Sequence, residues 1–163
     1  MAQQTTSLWD ELMRLRDAER DRLAKGTVVA SGEKAIREIT PMGIVRWYTH
    51  PSLEEPVLRT FMCWVQEIPP DSRSGRMKHQ GGRVHYVWHG RGYTVVDGVS
   101  HEWEEGDVIF IPAKPYGVEF QHFNSGGEVA ELISAELNLV GIMGVDKGVA
   151  FEIIEPAPEY RAP

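Results

Sequence analysis

Six histidines carry most of the chemistry this sequence can offer: His50, His79, His85, His89, His101 and His122. Imidazole exchanges protons near neutral pH and ligates iron, zinc, copper and nickel. Three histidines that leave further positions open on an ion make an activating site. His79, His85 and His89 fall within residues 74–98, and His122 stands in Gln121-His122-Phe123-Asn124. His50, beside Pro51 in a Pro- and Glu-rich stretch, and His101, in a Ser-His-Glu hairpin region, read as surface residues. Cys63 is the only cysteine, which excludes an internal disulfide and fits a reducing cytoplasm. Its setting, Phe61-Met62-Cys63-Trp64-Val65, is that of a buried small hydrophobe rather than a nucleophile.

These side chains need a sheet to hold them. Gly81-Gly82 breaks the chain, residues 83–89 read as a strand, and Gly90-Arg91-Gly92 turns it. Residues 93–96 read as a second strand, and Asp97-Gly98 is a two-residue hairpin signal, because both positions tolerate positive φ. Alternation along residues 83–89 puts Val84, Tyr86 and Trp88 on one face and Arg83, His85, Val87 and His89 on the other. On an open sheet the polar face meets solvent; in a barrel it faces the cavity. Alternation alone does not choose. Further strands are expected at residues 27–30, 43–48, 57–68 (ended by Pro69-Pro70-Asp71), 108–112, 118–124, 129–137 and 149–154. Residues 32–40 are ambiguous, and Pro41-Met42-Gly43 is a turn. The run 108–112 is nearly all apolar, as a strand covered on both sides would be. Val118, Phe120, His122 and Asn124 share one face. Gly126-Gly127 is a loop, and the Gly-rich residues 138–148 can hold a short helix.

Ahead of the strands, residues 7–25 predict a helix with Ser7 as N-cap, Asp10 in capping-box position and Gly26 as its stop. Leu8, Trp9, Leu12, Met13 and Leu15 give its front half an apolar stripe, expected to lie over the sheet or over a partner subunit. A chain of 163 residues with 42% hydrophobic and 25% charged residues suits one soluble domain with a real core. A net charge of −7 argues against nucleic acid or an anionic membrane as main partner. No apolar run reaches the roughly 20 residues that span a bilayer, and the N-terminal residues lack a secretory h-region. No repeat of 20 to 50 residues is present, and many short strands at hairpin spacing mean an all-β barrel or jelly roll.

The order Tyr86-Val87-Trp88-His89-Gly90-Arg91-Gly92, then Gly106-Asp107, Pro112 and Asn124, resembles the two motifs of a cupin. The resemblance covers roughly residues 69–133. It implies an all-β, cupin-type jelly-roll β-barrel over residues 27–155, behind an N-terminal helix (1–26) and before a loose tail (156–163). The spelling is similar to that of gentisate-dioxygenase-like single-domain cupins. That implies a dioxygenase-like oxidoreductase using one divalent metal ion, Fe(II), on a small aromatic organic acid. It also implies a homodimer paired through its N-terminal segment, in the cytoplasm that the single cysteine suggests.

Carried over position by position, the resemblance puts His79 at the second histidine of the family's His-x-His pair. Met77 stands at the first, Arg83 at the usual glutamate and Phe120 where relatives often have a histidine. Three outcomes follow. A metal is kept by a rearranged set, His79, His85 and His122. Or the metal is lost and the cavity binds an organic molecule directly. Or the histidines serve only as hydrogen-bonding groups. In the first, Arg83 clamps a substrate carboxylate, as the candidate catalytic residue, and Met77, Arg83 and Phe120 line the pocket. Otherwise the chain is a metal-free binding or sensing cupin, or an isomerase with His79 or His122 as base. His89 is expected at the rim. Tyr86, Trp64 and Trp88 are read as core.

Overall fold

The computed structural model describes residues 7–53, 56, 58, 60–137 and 152–162. Among the described residues, one helix, α1 (Leu8–Lys25), precedes eleven strands. They are β1 (Ile36–Thr40), β2 (Gly43–Thr49), β3 (Phe61–Ile68), β4 (Arg76–His79), β5 (Arg83–His89), β6 (Arg91–Val96), β7 (Val99–Glu104), β8 (Val108–Ile111), β9 (Val118–Asn124), β10 (Ala130–Leu137) and β11 (Glu152–Glu155). All ladders between strands are antiparallel, in two sheets. One runs β1-β2-β3-β10-β5-β8 and the other β11-β4-β9-β6-β7. This is the expected all-β jelly roll with an N-terminal helix.

The sheets enclose two apolar clusters. Met42, Val45, Trp64, Met77, Ile111, Val118 and Phe120 form one; Ile68, Val87, Trp103, Ala130 and Leu132 form the other. The chain changes sheet between β5 and β6 on one residue, Gly90. Its φ is +90°, and a Cβ there would lie 2.9 Å from the Ala130 Cα, so only glycine fits. Asp97 and Gly98 join β6 to β7 with φ of 47° and 85°, the predicted hairpin turn.

Several expectations are corrected. Residues 27–30 make no strand; Thr27 forms one isolated bridge to Pro56. The ambiguous stretch supplies β1. The strand expected over 57–68 begins at Phe61, and Val57 lies outside the described residues, as does the helix suggested for 138–148. Strand β8 is not covered on both sides: it is a sheet edge, and Phe110 is 72% exposed. Its apolar run reflects an uncovered face rather than a doubly buried strand. Tyr86 and Trp88 point outward on β5 and are not core. The tail is docked, not loose: Ala157 is buried and its N–H donates to the Pro41 carbonyl, and the Ser72 hydroxyl bonds Glu159. Ser7 caps α1 as predicted, accepting from the N–H groups of Trp9 and Asp10. Yet α1 buries no residue, and Leu8, Trp9, Leu12 and Leu15 of its apolar front half are exposed among the described residues.

Candidate functional site

Strand β5 settles which face is inside. Arg83, His85 and Val87 are buried, while Val84, Tyr86 and Trp88 are exposed. The polar face therefore looks into the sandwich, and a buried polar face demands partners. Strand β10 supplies them, because its register sets Glu136 opposite Arg83 and Ser134 opposite His85. Strand β9 contributes Phe120 and His122 from the other sheet, opposite Met77 on β4 and Thr94 on β6. Phe120, His122 and Met77 are fully buried.

Two groups form. In the first, the Arg83 guanidinium donates from Nε (2.8 Å) and Nη2 (2.7 Å) to Glu136 Oε2. It lies over the rings of Trp64 (5.1 Å) and Phe120 (5.4 Å), and its Nη1 approaches the Met77 sulfur at 3.6 Å. His79 completes the group. Its Nδ1–H donates to the Gly81 carbonyl at 2.7 Å, and its Nε2 stands 3.3 Å from the same Glu136 oxygen. A carbonyl only accepts, so Nδ1 carries the proton, and the neutral ring presents a lone pair at Nε2. Burial first, and Arg83 second, push the His79 pKa below its ordinary value, against the pull of Glu136.

The second group is the pair His85 and His122, with ring centres 4.5 Å apart in an edge-to-face arrangement. His85 Nδ1 meets the Ser134 hydroxyl at 2.7 Å and His122 Nδ1 meets the Thr94 hydroxyl at 2.8 Å. Thr94 also accepts from the Trp103 indole N–H at 2.9 Å. Both rings are held neutral. Burial drives the His122 pKa down to about 3, with Arg83 adding to the shift. Burial, His122 and Arg83 hold His85 well below its ordinary value. Both Nε2 atoms are buried and without a hydrogen-bond partner among the described residues.

So the structure brings together His85 with His122, and His79 with Arg83. Met77 and Phe120 stand against Arg83. His89 is at the surface, between Glu105 and Glu128, and His101 is exposed. Glu136 was not singled out from the sequence. Its only signal is parity with the inward-facing Ala130, Leu132 and Ser134 on one strand.

The donor set can be tested for an ion. A metal needs a lone pair from each ligand. His79 offers one at Nε2. Where the Ser134 and Thr94 hydroxyls donate to Nδ1, His85 and His122 carry their hydrogens on Nε2 and offer an ion no lone pair there, and the positive Arg83 stands where the family usually has a glutamate. Among the described residues, no three His, Cys, Asp or Glu side chains are grouped to hold a metal. The three-histidine set does not fit an ion in this arrangement.

The cupin domain family matches residues 64–136, the span that carries this interior. Residues 64–136 are a cupin domain. Over 70 residues, 43% of its length, the chain is 36% identical to a 5-aminosalicylate 1,2-dioxygenase of Comamonas sp. and 29% identical to a 1-hydroxy-2-naphthoate 1,2-dioxygenase of Nocardioides sp. (strain KP7). The match covers only 19% and 18% of those relatives. Among solved structures, a predicted oxalate decarboxylase from Thermotoga maritima aligns with TM-score 0.55 and 23% identity, over 68% of this chain and 98% of that one. The polyketide cyclase RemF from Streptomyces resistomycificus aligns at 0.56 and 17%, over 67% and 78%. These two likenesses concern the fold. No described helix is long and apolar enough to cross a membrane.

Proposed function

We propose that this cupin acts on a small organic acid inside the sandwich, by proton transfer in which His79 Nε2 is the acceptor. The supporting observation is the His79–Glu136–Arg83 group. Gly81 fixes the ring proton on Nδ1, which leaves Nε2 basic. Glu136 at 3.3 Å stabilises the imidazolium that forms, and Arg83 holds the Glu136 carboxylate in place through two hydrogen bonds. A base held neutral, with a carboxylate beside the nitrogen that takes the proton, is suited to removing a proton next to a carboxylate or carbonyl. Solvent deuterium incorporation into a panel of small 2-oxo and 2-hydroxy acids, followed by NMR, tests this. Exchange should fall by about 10²–10⁴-fold in His79→Gln. Exchange that is absent in wild type, or unchanged in the variant, refutes it.

A second reading is the Fe(II)-dependent, dioxygenase-like oxidation of a small aromatic acid, favoured by the names of the curated relatives. An ion there would be held by His79, His85 and His122, with Arg83 clamping the substrate carboxylate and Met77 and Phe120 lining the pocket. It would supply Lewis acidity and redox capacity. That reading requires the Ser134 and Thr94 hydroxyls to turn and both ring protons to move to Nδ1. Oxygen uptake with hydroxylated aromatic acids after anaerobic Fe(II) loading separates the two.

A further inference from the structure

The protons on His85 and His122 are set by their neighbours. The Trp103 indole N–H can only donate, and it donates to Thr94 Oγ1. The Thr94 hydroxyl hydrogen then needs an acceptor, and among the described residues its remaining partner is His122 Nδ1. The same holds for Ser134. Its hydroxyl has the Leu132 carbonyl at 3.4 Å, outside the usual O–H···O range, and His85 Nδ1 at 2.7 Å. Each hydroxyl thus donates to a ring Nδ1. In a neutral ring the other nitrogen then carries the hydrogen, so His85 and His122 both present Nε2–H.

Three buried side-chain polar atoms lack a partner among the described residues: Trp64 Nε1, His85 Nε2 and His122 Nε2. With the protons so placed, all three are N–H donors. Buried donors without acceptors are costly, and an interior that holds several of one sign calls for the complementary group. Water is a poor match, because a water that accepts these hydrogens has two of its own to place. An oxyanion oxygen carries only lone pairs.

We propose that the interior between β5, β9 and β10 is an anion site, taking an oxygen of a carboxylate or comparable oxyanion on the Nε2–H groups of His85 and His122. Ser134 and the Trp103–Thr94 relay are its positioning residues. This rests on the organic-acid reading above and adds where the acid's charged oxygen sits.

The test uses the full chain and formate as probe, which cannot report on proton transfer from carbon. Long-range ¹H–¹⁵N spectra of the histidine rings should show protonated Nε2 and bare Nδ1 for His85 and His122 in wild type. Formate should shift both Nε2 signals saturably, and His122→Phe should weaken its binding by roughly tenfold or more. In Thr94→Val the His122 ring should lose its fixed proton position while His85 keeps it. Bare Nε2 on both rings in wild type overturns the proposal, and this reading needs no variant to fold. So does formate binding that His122→Phe leaves unchanged, or an absence of binding. Formate binding without any deuterium exchange would leave the anion site standing and remove the proton-transfer reading instead.

Discussion

At the scale of single residues, the interior depends on one buried charge pair. Arg83 and Glu136 are both buried, and each has the other as its counter-charge. Removing one partner leaves the other charge stranded in a medium that solvates it poorly, which costs about 3–5 kcal/mol. Glu136→Gln is therefore expected to lower stability in chemical denaturation by that order, and so is Arg83→Met. The double variant should recover much of the loss, because it removes both charges. Additive losses in the double variant would show that the two are not coupled. Glu136 was illegible in the sequence for a physical reason. It lies 53 residues from Arg83 and meets it only through the β5–β10 register. His79, His85 and His122 were singled out in the sequence because alternation and motif order point to them. What they do was not, since that depends on Ser134, Thr94 and Trp103, three residues with no motif.

At the scale of elements, the strands were legible wherever glycine, proline and hairpin signals bounded them. The hairpin at Asp97-Gly98 and the inward face of β9 are examples. The orientation of β5 was not, because its two faces are equally regular and only the partner strand decides between them. The outcome leaves an apolar outer face. Across the sheet, Val65, Ile133, Tyr86 and Val108 lie in register, beside the row Cys63, Ala135, Val84 and Phe110. The α1 stripe of Leu8, Trp9, Leu12 and Leu15 is exposed too. An isolated helix of 18 residues gains little stability without packing. A second copy would cover both surfaces at once, which is the homodimer expected from the sequence. Light scattering on a sizing column should give a dimer at micromolar concentration, and Phe110→Asp should shift it to monomer. A monomeric wild type would contradict this.

For the whole molecule, the buried neutral histidines make stability depend on pH. In the unfolded chain each ring takes up a proton near its ordinary pKa of 6.5. In the folded protein His122 does so only near about 3, and His85 well below 6.5. Between those values the unfolded state binds more protons, so stability rises with pH there and is lost as pH falls below about 6.5. Each ring contributes about 1.4 kcal/mol per pH unit. The unfolding free energy from denaturant titrations should therefore drop by about 2–3 kcal/mol between about pH 6 and about pH 5, and His122→Phe should remove about half of that slope. A flat profile would mean that the rings are charged or exposed in the folded protein. The cupin fold was readable from motif order alone. The charge balance of its interior was not, because it is a property of the closed sandwich and of no single stretch.

The central claim is that this interior is built for an acid's charged oxygen and a proton, not for a metal ion. The most direct measurement is anaerobic Fe(II) loading of the full chain, removal of loosely held metal, and elemental analysis of wild type with His79→Ala, His85→Ala and His122→Ala. The account predicts far less than one iron per chain in wild type and no further loss in the variants. Close to one iron per chain, abolished by each substitution, would contradict it and establish the three-histidine metal site.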